Sequence, residues 1–137
     1  MTGDGRYDSP GHSATFGTYS LMRSDNSEIL DFFIAHVRNA GNSQRMEEYA
    51  FKKVVDALID VGISIASITT DRHKSIRKIL REKYPEILHQ FDIWHFAKNI
   101  SKKLHKKAKL KKHKALKPWI RSIINHFWWA CATCGKD

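Results

Sequence analysis

The chain has 137 residues, of which 42% are hydrophobic and 28% charged, enough for one domain with a single core and too apolar for a disordered tail. No run approaches the roughly 18 to 20 apolar residues needed to cross a bilayer, so no membrane partner is expected, and nothing at the start reads as a signal peptide. The formal net charge of +10 is uneven: residues 1–92 carry 12 Lys and Arg against 13 Asp and Glu, and residues 93–137 carry 12 against Asp137 alone. A block of that kind points to a polyanionic partner, nucleic acid first.

Residues 1–13 are rich in Gly, Ser, Pro and His and read as a loop. Ala14 to Met22 has strand composition interrupted by Gly17, Ser24-Asp25-Asn26-Ser27 is turn chemistry, and Glu28 to Val37 resumes as a strand, so a hairpin is expected. Asn42 or Ser43 then offers a helix N-cap. Met46, Ala50, Val54, Ala57, Leu58 and Val61 follow at helical spacing until Gly62. A strand over 63–70 and a helix near Lys74–Tyr84 come next, and Pro85 stops that helix. Ile87 to Ile93 is a short strand. From Trp94 a long basic helix begins, with Phe96, Ala97, Ile100, Leu104 and Ala108 on one side. Pro118 opens a last helix, whose buried side is Trp119, Ile120, Ile123, Ile124, Phe127 and Trp128. The order implies an α/β fold with a mixed sheet and a helical C-terminal part. It is similar to a ribonuclease H-like fold whose first strand is truncated.

Asp71 follows the apolar strand Ile63 to Ile68 and precedes a helix. An aspartate so placed suits a divalent metal, because the sheet fixes its position while its tip meets solvent. It equally suits the N-cap of the following helix, and both readings stand. Asp4, in the turn-like Gly3-Asp4-Gly5, is a second candidate, with Asp8 competing. Asp92 and His95, three apart at a strand-to-helix junction, either face one another near the strand ends or form an N-cap with His95 packed on Trp94.

Cys131 and Cys134 have metal-ligand spacing with His126 upstream. A structural zinc needs four ligands, and two buried free thiols are the alternative. Two cysteines make no disulfide framework, so a reduced intracellular compartment is expected. Lys98, Lys102, Lys103, Lys106, Lys107, Lys109, Lys111 and Lys112, followed by Lys114 and Lys117, have no acid between them. Lysines act as point charges and suit phosphate-backbone contact rather than base reading. A solvated helix face is the other reading.

The segments GDGRYDSPGHSATFGTYSLM, AGNS, ITTDRHKSIRKILREKYPEI, HQFDIWHFAKNISKKL and WIRSIINHFWWACATC together resemble eukaryotic cut-and-paste transposases of the DDE class, the Kolobok-like group above all. The resemblance covers nearly the whole chain. It implies that Asp4 and Asp71 are the first and second catalytic acids, and that Asp92 and His95 match an accessory element after the second acid. With a later glutamate, these acids would hold two Mg²⁺ or Mn²⁺ ions. Water would attack a phosphodiester at the transposon end, and the freed 3′-hydroxyl would attack target DNA. The resemblance also implies a nuclear location and DNA as partner, with self-association open.

The sequence departs from that pattern. No glutamate follows Glu86, no apolar strand precedes Asp4, and no zinc-finger-like module precedes the core. The expectation is a transposase fragment, with residues 1–93 a partial catalytic core and 94–137 a basic helical extension, weak or absent in metal binding and inactive alone. A non-enzymatic nucleic-acid-binding protein using the lysine-rich helix is the alternative.

Overall fold

The computed structural model describes residues 1–10 and 13–135, and the chain divides into two compact units, Met1–Phe91 and Asp92–Asp137. The first holds a mixed five-stranded sheet in the order β3-β2-β1-β4-β5. Strands β1 (Thr2–Tyr7), β2 (Phe16–Met22) and β3 (Ile29–His36) are antiparallel neighbours, and β4 (Ser67–Thr70) and β5 (Leu88–Phe91) add in parallel beside β1.

Strand β1 overturns two expectations, that residues 1–13 are a loop and that the sheet lacks its first strand. Six residues from this stretch form the middle strand and pair with β2 from Thr2↔Met22 to Tyr7↔Gly17. On its other edge the Met1 amino group donates to the Ser67 carbonyl at 2.9 Å, and the Thr69 amide donates to the Met1 carbonyl at 2.8 Å. Its Gly-rich composition hides the strand, because pairing on both edges rather than side-chain propensity holds it.

After a short helix α1 (Val37–Ala40), helix α2 (Ser43–Asp60) lies across one sheet face. Asn42 caps it, its Oδ1 accepting from the Arg45 amide at 3.0 Å. The helix buries Met46, Ala50, Phe51, Val54, Val55 and Leu58 in a core with Tyr19, Leu21 and Ile68. The Tyr19 and Phe51 rings meet edge to face at 5.3 Å. Helix α3 (Lys74–Lys83) adds Ile76, Ile79 and Leu80 to the same core. Phe16, Phe32 and Ile34 stay exposed.

The second unit contains α4 (Ile93–Ala108), a 3-10 helix (Lys111–Trp119) and α5 (Ile120–Thr133). The expected continuous basic helix from 94 to 117 is therefore broken after Ala108. Four cations crowd into Lys109–Lys114 with no acid to pair them, and Pro118 disfavours helical backbone at the residue before it. Pro118 itself lies in the 3-10 segment, and α5 begins two residues later. Of the side expected to be buried in α5, only Ile120 is; Trp119, Ile123 and Trp128 are exposed. The Phe96 and Phe127 rings, 5.4 Å apart, join α4 to α5.

Candidate functional site

Parallel pairing of β1 with β4 brings the two predicted acids together. Thr2 pairs with Thr69, two residues ahead of Asp4 and of Asp71 respectively. Asp4 lies inside β1 and Asp71 immediately follows β4. Asp71 is not the cap of α3. That position is His73, which makes no side-chain cap bond. The Asp4 and Asp71 carboxylates are both exposed and take no hydrogen bond or ion pair among the described residues. Asp8, the competing acid, is engaged elsewhere, accepting from the Thr15 and Phe16 amides at 3.1 and 3.2 Å.

The backbone after β4 is held from within. Thr70, 1% exposed, donates its hydroxyl to the Asp71 carbonyl at 2.8 Å and lies 2.9 Å from His89 Nε2 on β5. Burial, reinforced by the charge of Arg77, holds the His89 imidazole below its usual pKa.

Glu47 is the acid that sequence reasoning missed. Helix α2 carries it on the stripe that also bears Ser43, Ala50, Phe51 and Val54, and only 12% of its side chain is exposed. Its Oε2 accepts from the Tyr7 hydroxyl at 3.0 Å and lies 3.9 Å from His73 Nε2. Burial pushes its carboxyl above the usual range. His73 and the Tyr7 hydrogen bond oppose this, and the negative charges of Asp71 and Asp4 add to it. Burial and the Glu47 charge likewise raise Tyr7. The legible signal was a glutamate in an otherwise apolar helical stripe.

Two glycines let these elements approach. A methyl group at Gly3 would stand 2.5 Å from the Tyr19 hydroxyl and 2.9 Å from Leu21 Cδ2, and one at Gly5 would stand 3.0 Å from Glu47 Cδ. Strand alternation puts Asp4 on the other pleat. Because β4 ends at Thr70 while β1 runs on to Tyr7, the edge of β1 beside Gly5 is open past Asp71. Next to it lies a cleft of about 650 Å³ lined by Tyr7, Glu47, Arg72, His73 and Lys74 among others. Among the described residues the buried Tyr19 hydroxyl and His73 Nδ1 have no hydrogen-bond partner.

As the side chains stand, no three His, Cys, Asp or Glu among the described residues converge into a metal cage. Carboxylate oxygens are nonetheless the donor type that a hard divalent cation takes.

Asp92 and His95 belong to the second unit, where they combine both readings of the sequence. Asp92 Oδ1 accepts from the Trp94 and His95 amides at 2.7 and 3.4 Å, its Oδ2 lies 2.8 Å from His95 Nδ1, and His95 packs edge-on to Trp94. Burial would raise the Asp92 carboxyl, but the hydrogen bonds from His95 and the two amides outweigh it and leave it below its ordinary value. Cys131 is half-buried and Cys134 exposed, both free. Cys134 Sγ donates to the Cys131 carbonyl at 3.4 Å, so the pair is not two buried thiols.

Lys98, Lys102, Lys103, Lys106, Lys107, Lys109, Lys111, Lys112, Lys114 and Lys117 are all exposed and make no ion pair among the described residues. Lys98 Nζ stands 4.6 Å over the Trp94 ring. Lys109, Lys111, Lys114 and Lys117 line one hollow of about 420 Å³ with His105 and Ala108. No described helix is long and apolar enough to cross a membrane. Compared with known proteins, the chain matches no family model, no curated protein and no solved structure.

Proposed function

We propose that this chain is a piece of a DDE-type transposase catalytic domain, with a ribonuclease H-like arrangement in its first unit and a DNA-backbone contact surface in its second. The observation that carries the reading is the parallel pairing of Thr2 with Thr69, two residues ahead of Asp4 in β1 and of Asp71 just past β4, with each carboxylate exposed and without a hydrogen bond or ion pair among the described residues. These two aspartates would hold Mg²⁺ or Mn²⁺. When bound, such an ion activates an attacking oxygen and stabilises the leaving one. The sheet contributes position: Asp4 is fixed by pairing on both edges of β1, and Asp71 by the Thr70 and His73 bonds to its carbonyl. Preorganised ligands of this kind avoid reorganisation during phosphoryl transfer. Two acids alone hold metal weakly, so turnover by this chain is expected to be slow or absent. The ten exposed lysines would hold the DNA backbone without reading sequence.

Nicking of supercoiled DNA in Mn²⁺ tests the catalytic reading. Whatever nicking occurs is expected to vanish in Asp71→Asn, and nicking that survives this change ends the proposal. The lysines, exposed and without ion pairs among the described residues, also favour a second reading, a non-enzymatic nucleic-acid-binding protein. Absence of nicking, together with DNA binding that is indifferent to Asp71→Asn and weakened by Lys→Ala changes, selects it.

A further inference from the structure

Past Ala108 the chain turns at Leu110, whose carbonyl accepts from the His113 amide at 2.9 Å, and continues as the 3-10 helix Lys111–Trp119. Such a helix has three residues per turn, so side chains three apart eclipse, about 6 Å from one to the next along the axis. Lys111, Lys114 and Lys117 have that spacing and stand in one row. All three line the same hollow of about 420 Å³, to which the end of α4 contributes His105, Ala108 and Lys109. Had α4 simply continued, the three lysines would fan through roughly 120° of its surface.

By itself the row is unfavourable. Like charges one turn apart repel, and none of these lysines takes an ion pair among the described residues. The one acid described in this unit, Asp92, sits at the opposite end of α4, engaged with His95 and the Trp94 amide. An anion in the hollow relieves the repulsion. The lining narrows its chemistry. Lysine acts as a point charge without a planar fork, which suits phosphate oxygens presented from any side. A row of such charges follows successive phosphates rather than one compact ion, and a positive groove of this kind holds a single strand without reading its bases. Cations from two elements can close round one flexible strand, whereas a stiff duplex presents each backbone from its outer side.

We propose that this hollow is a site for consecutive phosphates of a single nucleic-acid strand, held by the row Lys111, Lys114 and Lys117 together with Lys109 from the end of α4. This rests on the backbone-contact reading given above and deepens it, because it selects four of the ten lysines and one strand rather than two. The break in the basic helix is then what builds the site, since only the 3-10 geometry aligns the row.

The experiment measures fluorescence anisotropy of a labelled oligothymidylate of about 12 nucleotides, titrated with the full chain at constant salt. Changing Lys109, Lys111, Lys114 and Lys117 together to Ala is expected to weaken binding about tenfold or more, and the same loss of charge at Lys98, Lys102, Lys103 and Lys106 less than about threefold. A second variant keeps the net charge. Lys114→Ala with Ala115→Lys moves the middle cation about a third of a turn off the row, and is expected to weaken binding about fivefold. Position 115 is exposed, and circular dichroism checks that the helices persist. A duplex of the same length is expected to bind about fivefold more weakly than the strand. Equal losses from the two lysine sets, or unchanged binding by the charge-conserving variant, overturn the hollow and leave a diffuse backbone contact standing. A duplex bound as tightly as the strand overturns the single-strand assignment. Polyglutamate of equal charge that displaces the strand as well as unlabelled oligothymidylate does overturns nucleic acid as the ligand. Absence of binding to strand and duplex alike rejects this inference and the backbone-contact reading together.

Discussion

A methyl group added at position 3 would meet the Tyr19 hydroxyl at 2.5 Å. The Tyr19 ring cannot retreat, since it is fully buried against Phe51. Overpacking of a close-packed core typically costs about 1–3 kcal/mol, and Gly3→Ala is expected to lose stability in that range, measured by chemical denaturation. A loss under about 0.5 kcal/mol would mean that β1 does not press on Tyr19. Such a glycine is legible in sequence only as punctuation. Its neighbours, 16 and 18 residues further on, come together only when β1 and β2 pair. Glu47 is the opposite case. Its place among Ser43, Ala50, Phe51 and Val54 marked it as an acid on an apolar stripe, but nothing along the chain said that it would meet Tyr7 and His73.

At the scale of elements, α4 shows local chemistry working as composition predicts. Asp92 satisfies two of the amides that a helix start leaves open, and a carboxylate there also favours the helix dipole. Asp92→Ala is expected to cost about 1 kcal/mol in the stability of the second unit. Because the folded-state pKa of Asp92 is lowered, its contribution is complete above the unfolded value near 4 and is lost as pH falls through the lower folded value. The gap in helicity between parent and Asp92→Ala should therefore narrow on acidification below about pH 4, as circular dichroism would read; a gap constant down to pH 2 would assign the effect to packing. The hairpin, α2 and α3 were equally legible, because their apolar periods and breakers are local. Strand β1 and the break after Ala108 were not. The first depends on partners at both edges, and the second on charge crowding that a pattern of apolar steps ignores.

Across the whole molecule, the excess positive charge lies in the unit Asp92–Asp137, and the acids of the candidate site lie in the unit Met1–Phe91. The proposed DNA contact and the proposed chemistry therefore belong to separate units. Neutralised phosphates release counterions, giving a slope of about −0.9 in log affinity against log salt per contact. Changing Lys109, Lys111, Lys114 and Lys117 together to Ala is expected to flatten that slope by about 3–4 while leaving Mn²⁺ binding untouched. A slope that does not change would place the phosphate contacts elsewhere.

Composition and order alone settled the mixed α/β class, the strongly basic C-terminal third and Asp71 as an acid at a strand end, since charge blocks, apolar periods and turn residues act over a few positions. Tertiary structure decided that a glycine-rich start is the central strand, that its Thr2 pairs with Thr69 just ahead of Asp71, and that Glu47 of α2 meets Tyr7 and His73. Each of these depends on strand register and on the close approach of segments far apart in the chain, and no local pattern of side chains encodes that.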